Sequence, residues 1–129
     1  MKAKYICPHC QGVLNIKQDI ILSAKNSKNE VGLILMHPEL GNYSIRKTES
    51  FELEIGKSIM FYCPICHANL DAEGKDNLAS LLLITQEKKE STVVFSKTFG
   101  EKATYHIQDK QVLSYGEHCK KYIDPEWFL

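Results

Sequence analysis

The 129-residue chain has no long hydrophobic run, and its apolar stretches reach only four or five residues, as at 81–84 and 59–63. A membrane-spanning helix needs roughly 18, so no membrane partner is expected. The N-terminal residues Met1-Lys2-Ala3-Lys4-Tyr5-Ile6-Cys7 are basic but lack the apolar stretch of a secretory signal. A cytoplasmic location is therefore expected. No charge of one sign dominates, because 16 Lys and Arg balance 16 Asp and Glu. A domain built to neutralise nucleic-acid phosphates carries a marked basic excess, and neither half of this chain has one. No stretch repeats apolar residues at helical spacing for three turns, which argues against a helical bundle. The phosphate-binding loop, the dinucleotide fingerprint, the zinc-protease motif and the serine-hydrolase elbow are also missing. Nothing in the sequence marks an enzyme.

What is present starts with an adequate core. Hydrophobic residues make up 43% of the chain, and a domain of this length buries roughly two-thirds of the surface its unfolded chain exposes. A single β domain spanning residues 1–129 is the simplest expectation, with a subdomain boundary at 71–77 as the alternative.

The cysteines carry most of the chemical information. Four of the 5 fall in two Cys-x-x-Cys pairs, Cys7-Pro8-His9-Cys10 and Cys63-Pro64-Ile65-Cys66. A two-residue gap lets one tight turn aim both sulfurs at a point while backbone N–H groups stabilise the thiolates. In a chain without a signal peptide this spacing favours metal over a disulfide framework. Two such turns facing each other form a closed tetrahedral shell of four thiolates, the donor set zinc prefers. The pairs sit within a longer repeat. Tyr5-Ile6-Cys7-Pro8-His9-Cys10-Gln11-Gly12-Val13-Leu14 aligns without gaps with Phe61-Tyr62-Cys63-Pro64-Ile65-Cys66-His67-Ala68-Asn69-Leu70. The aromatic is expected to end a strand entering each turn, and the leucine to begin one leaving it.

On these two segments the chain resembles the zinc-ribbon family, whose sites are built from paired Cys-Pro-x-Cys knuckles. The resemblance implies one structural zinc ion held by Cys7, Cys10, Cys63 and Cys66, in an all-β, mainly antiparallel fold. The segment between the knuckles is longer than a usual ribbon insert and is expected to be strand-rich, with further strands after the second knuckle. Rubredoxins have similar knuckles and bind iron, but their second cysteine is usually followed by glycine, where this chain has Gln11 and His67.

Sharper readings of the same residues are available. Cys7-Pro8-His9-Cys10 matches the active-site letters of thioredoxin-like disulfide oxidants, whose chemistry requires a helix N-terminus beneath the first cysteine. Gly12 and Asn15 interrupt any such helix. His9 and His67, at the knuckles, are read as exposed turn residues, since four sulfurs already complete the shell. Cys119, in His118-Cys119-Lys120-Lys121, is read as an unpaired thiol in a polar setting.

The remaining pattern reads as short strands separated by turns. Strands are expected at 19–24, 31–37, 44–47, 51–55, 58–62, 78–85, 92–95, 103–107 and 111–115. Polar turns are expected at 26–30 and 87–90, and a loop at 72–77. The C-terminal Trp127-Phe128-Leu129 is a candidate contact for a protein partner or a second copy of the chain. The expectation is a non-enzymatic structural zinc protein acting as an interaction or adaptor module. A nucleic-acid-associated ribbon and a thiol redox or metal-sensing protein are the alternatives.

Overall fold

The computed structural model describes residues 3–72, 77–109 and 111–119. Among the described residues ten strands run in chain order: β1 (Lys4–Ile6), β2 (Asn15–Ile16), β3 (Asp19–Lys25), β4 (Val31–Met36), β5 (Ile45–Lys47), β6 (Met60–Tyr62), β7 (Leu78–Ile84), β8 (Glu90–Ser96), β9 (Thr104–Gln108) and β10 (Gln111–Tyr115). They form two antiparallel sheets, so the fold is all-β, as the short strands separated by turns led one to expect. The first sheet has the order β1-β7-β8-β9-β10. The second has β2-β3-β4-β5, with β6 also paired to β3. Among the described residues no helix is long and apolar enough to cross a membrane.

Side chains alternate between the faces of a strand, and here one set of faces meets. In β3 the inward positions Ile20, Leu22 and Ala24 are buried, as are Leu81 and Leu83 of β7. These residues join Ile34, Phe61, Val93 and Phe95 in one apolar cluster shared by both sheets. At its centre the Phe61 and Phe95 rings meet edge to face, with centroids 5.3 Å apart, a geometry that aromatic quadrupoles favour. The opposite face of the first sheet is also apolar. Leu78, Val94, Ala103 and Tyr105 form a second cluster there, and Cys119 packs against it. Cys119 thus lies half-buried on an apolar face, away from the polar setting its neighbours implied.

Residues 51–55 alternate in hydrophobicity but do not form a strand. Their backbone is claimed by other partners. Phe51 N donates to Thr48 O, and Asn26 Nδ2 donates to the Glu52 carbonyl. Phe51 is nonetheless buried, with its ring lying over Gly32 of β4 so closely that a Cβ there would sit 2.5 Å from Phe51 Cγ. The turn at 26–30 forms as expected, with Asn26 Oδ1 accepting the N–H groups of Lys28 and Glu30. Residues 73–76 of the expected loop, and the C-terminal Trp127-Phe128-Leu129, lie outside the described residues.

Tyr5 links the first sheet to the loop after β4, since its hydroxyl donates to Pro38 O at 2.6 Å. Burial, and to a lesser extent the neighbouring Tyr115, push the phenol up to about 12. An acid whose pKa is raised on folding adds stability that is fully present below its unfolded pKa and is lost as pH rises through the folded one. Stability is therefore expected to fall between about pH 10 and about pH 12. Tyr5→Phe should flatten that slope in urea titrations while costing about 0.5–1.5 kcal/mol at neutral pH through the lost hydrogen bond. An unchanged slope in the variant would show that other groups control the alkaline limit.

Candidate metal centre

The two knuckles are equivalent at the level of individual hydrogen bonds. In the first, Cys7 N donates to Gly12 O at 3.0 Å, Gln11 N to Cys7 O at 3.0 Å and Leu14 N to Tyr5 O at 2.8 Å. In the second, Cys63 N donates to Ala68 O at 3.0 Å, His67 N to Cys63 O at 2.9 Å and Leu70 N to Phe61 O at 2.9 Å. The repeated leucines are both buried beneath their turns, at 1% and 0% exposure. The residue after each second cysteine has a left-handed backbone, with φ of 64° at Gln11 and 67° at His67. A non-glycine residue there costs roughly 1–2 kcal/mol, and that cost is sustained twice.

These turns aim N–H groups at sulfur. His9 N and Cys10 N point at Cys7 Sγ at 3.3 and 3.5 Å, and Ile65 N and Cys66 N point at Cys63 Sγ at 3.3 and 3.4 Å. Gly12 N adds a contact to Cys10 Sγ at 3.4 Å. Charge-assisted bonds of this kind favour thiolate over thiol. The first cysteine of each pair is buried and the second exposed.

All four sulfurs lie within 4.8 Å of one another. Two of the separations cross between the knuckles, with Cys7 Sγ to Cys66 Sγ and Cys10 Sγ to Cys63 Sγ both at 3.8 Å. An ion bound tetrahedrally at about 2.3 Å from each sulfur places the ligands roughly 3.8 Å apart. The donor set and spacing therefore fit a tetrahedral metal ion. Packed this closely, the thiols cannot ionise independently. Burial and neighbouring sulfurs drive Cys7 up to about 12, against the pull of its backbone N–H contacts. For Cys63 burial also acts upward, but the Cys66 and Ile65 N–H groups and the adjoining thiols outweigh it, holding it down to about 7. A bound cation relieves the mutual repulsion and lets all four ionise.

The histidines stand outside this cluster. His9 is exposed, and its Nε2 donates to Asn69 O at 3.1 Å, a link from one knuckle to the other. His67 is exposed. The first knuckle leads into β2 and supplies no helix N-terminus beneath Cys7, so the geometry of a thioredoxin-like oxidant is not formed.

The strands entering and leaving the knuckles carry information that spacing alone did not. β1 enters the first knuckle from the first sheet, and β2 leaves it in the second. β6 enters the second knuckle from the second sheet. The chain then leaves toward the first, where Asp71 pairs with Ala79 and Ser80 N donates to Leu70 O. Both passages of the chain from one sheet to the other in this region thus meet at the four sulfurs. Beside the second passage, Lys97 is buried and its ammonium meets Asp71 at 2.6 Å. No protein-family model matches the chain, and neither curated proteins nor solved structures give a match.

Proposed function

We propose that Cys7, Cys10, Cys63 and Cys66 hold one zinc ion as a structural centre, in a non-enzymatic, zinc-ribbon-like protein whose surface engages another protein. The observation that carries this reading is the duplicated knuckle, with matched backbone bonds and sulfurs 3.8 Å apart across the pair. Four protein ligands leave a tetrahedral ion no position for water or substrate, so the ion stabilises the fold and does not activate a nucleophile. Zinc is preferred to iron because the flanking residues depart from the rubredoxin pattern at Gln11 and His67.

A protein partner is favoured by the apolar side chains left exposed on the knuckles, Val13 and Ile65, the latter lying against Gly12. The C-terminal Trp127, Phe128 and Leu129 are further candidate contacts. Nucleic acid is disfavoured because several basic side chains are already matched with carboxylates. Lys28 faces Glu52 and Glu54, Arg46 faces Asp19, and Lys102 faces Glu117.

Native mass spectrometry of freshly purified protein tests the centre directly. One zinc per chain, released together with unfolding, is the expected result, and the same spectra count subunits. Iron at that stoichiometry would keep the site and change its ion. Protein that carries no metal and cannot be loaded with zinc would remove the proposal.

A further inference from the structure

A cavity of about 320 Å³ lies between the two sheets. Its walls are apolar side chains from both, including Ile20 and Ile34 on one side and Leu81, Val93 and Phe95 on the other. Native interiors contain few voids larger than a water molecule, and this space has room for roughly ten water-sized groups at ~30 Å³ each. Water gains little there. Among the described residues no buried side-chain nitrogen or oxygen lacks a partner. The tyrosine hydroxyls in the lining are already committed, Tyr5 to Pro38 O and Tyr43 to Thr104 Oγ1 and Tyr115 O. A mainly apolar cavity of this size falls within the range of small-ligand sites.

The mouth has different chemistry. The loop at 39–44 lines both the cavity and an adjoining polar cleft, which is completed by Lys102, Gly116 and Glu117. Two carboxylates, those of Glu39 and Glu117, stand in the cleft lining beside the Lys102 ammonium, which lies 3.9 Å from Glu117. A second anion brought there would meet excess negative charge.

We propose that the space between the sheets is a binding site for an amphiphile with a neutral or cationic head. Its apolar part fills the cavity and its head rests in the cleft at 39–44. The site is independent of the metal centre and goes beyond the structural role assigned to it.

The test uses the metal-loaded full chain and the neutral fluorophore N-phenyl-1-naphthylamine, with isoleucine δ1-methyl NMR spectra recorded in parallel. The expected result is saturable one-to-one binding that shifts the methyls of Ile20, Ile34, Ile45 and Ile59, which line the cavity. The exposed Ile16, Ile55 and Ile65 should not shift. Decanol and decyltrimethylammonium should displace the probe at least about tenfold more effectively than decanoate at pH 8. Val93→Phe, which fills the cavity, should abolish binding. The methyl shifts of the unmodified protein decide the matter should that variant not fold. No binding up to the probe's solubility, or shifts confined to the exposed isoleucines, would overturn the site. Equal displacement by decanoate would overturn the assignment of its head group.

Discussion

Replacing Cys63 with serine is expected to abolish stoichiometric metal binding and to lower the thermal midpoint more than any other single cysteine substitution except Cys7→Ser. Both sulfurs are fully buried and receive two backbone N–H contacts each. Serine there offers a poor zinc ligand and leaves three thiols crowded together. Structural zinc contributes roughly 10–16 kcal/mol of apparent binding free energy at neutral pH in small domains. Losing such a contribution is comparable to the whole stability of an ordinary domain, about 5–15 kcal/mol. The knuckle end of both sheets should unfold, and a chelator should then change nothing further. Cys10→Ser and Cys66→Ser remove exposed ligands and should weaken metal binding with less damage to the apo fold. Cys119→Ser should leave metal content unchanged, since Cys119 belongs to the other apolar cluster. The checks are metal content per chain and melting curves with and without chelator. Full zinc retention by Cys63→Ser would contradict the four-sulfur centre.

Gly116→Ala is expected to cost about 2–5 kcal/mol. Gly116 follows β10 with φ of +97°, and an added Cβ would stand 2.2 Å from Lys102 O and 2.4 Å from Tyr43 Oη. Lys102 O cannot easily retreat, because it accepts His118 N at 2.9 Å while Lys102 N donates to His118 Nδ1. Two penalties combine: about 1–2 kcal/mol for a side chain in the left-handed region and about 1–3 kcal/mol for overpacking. Gly56→Ala separates them. Its φ is +88° and nothing lies within 4 Å of the new Cβ, so only the conformational part should appear. Urea unfolding of the two variants measures the difference. Equal losses would mean that the turn at 116–118 shifts without cost.

The four-cysteine cluster and most of the strands were legible in the sequence because their signals are local. Two residues between cysteines define a turn whatever the rest of the chain does, and the short apolar runs of β3, β7 and β8 between polar turns mark core strands. Residues 51–55 show the limit of that reasoning. Their alternation is real and Phe51 is buried, but the side chain of Asn26 takes a carbonyl that a neighbouring strand would need. Short strands were hardest to bound: β5 and β6 each have 3 residues, too few for a period to register. Left-handed backbone at Gln11 and His67 was hidden because neither residue type advertises it. The cavity was not legible at all, since it depends on how far apart two sheets stand.

The opposed passages of the chain through the knuckles also bear on how quickly a bound ion could leave. Cys10 and Cys66 face solvent, so an incoming chelator has easy access to half of the shell. The other half is Cys7 and Cys63, anchored to strands of different sheets. Taking an ion from those two buried sulfurs is expected to be the slower step, helped by local opening of the fold. An ion held there would have two accessible ligands and two protected ones, and its exchange rate would report on the breathing of the fold.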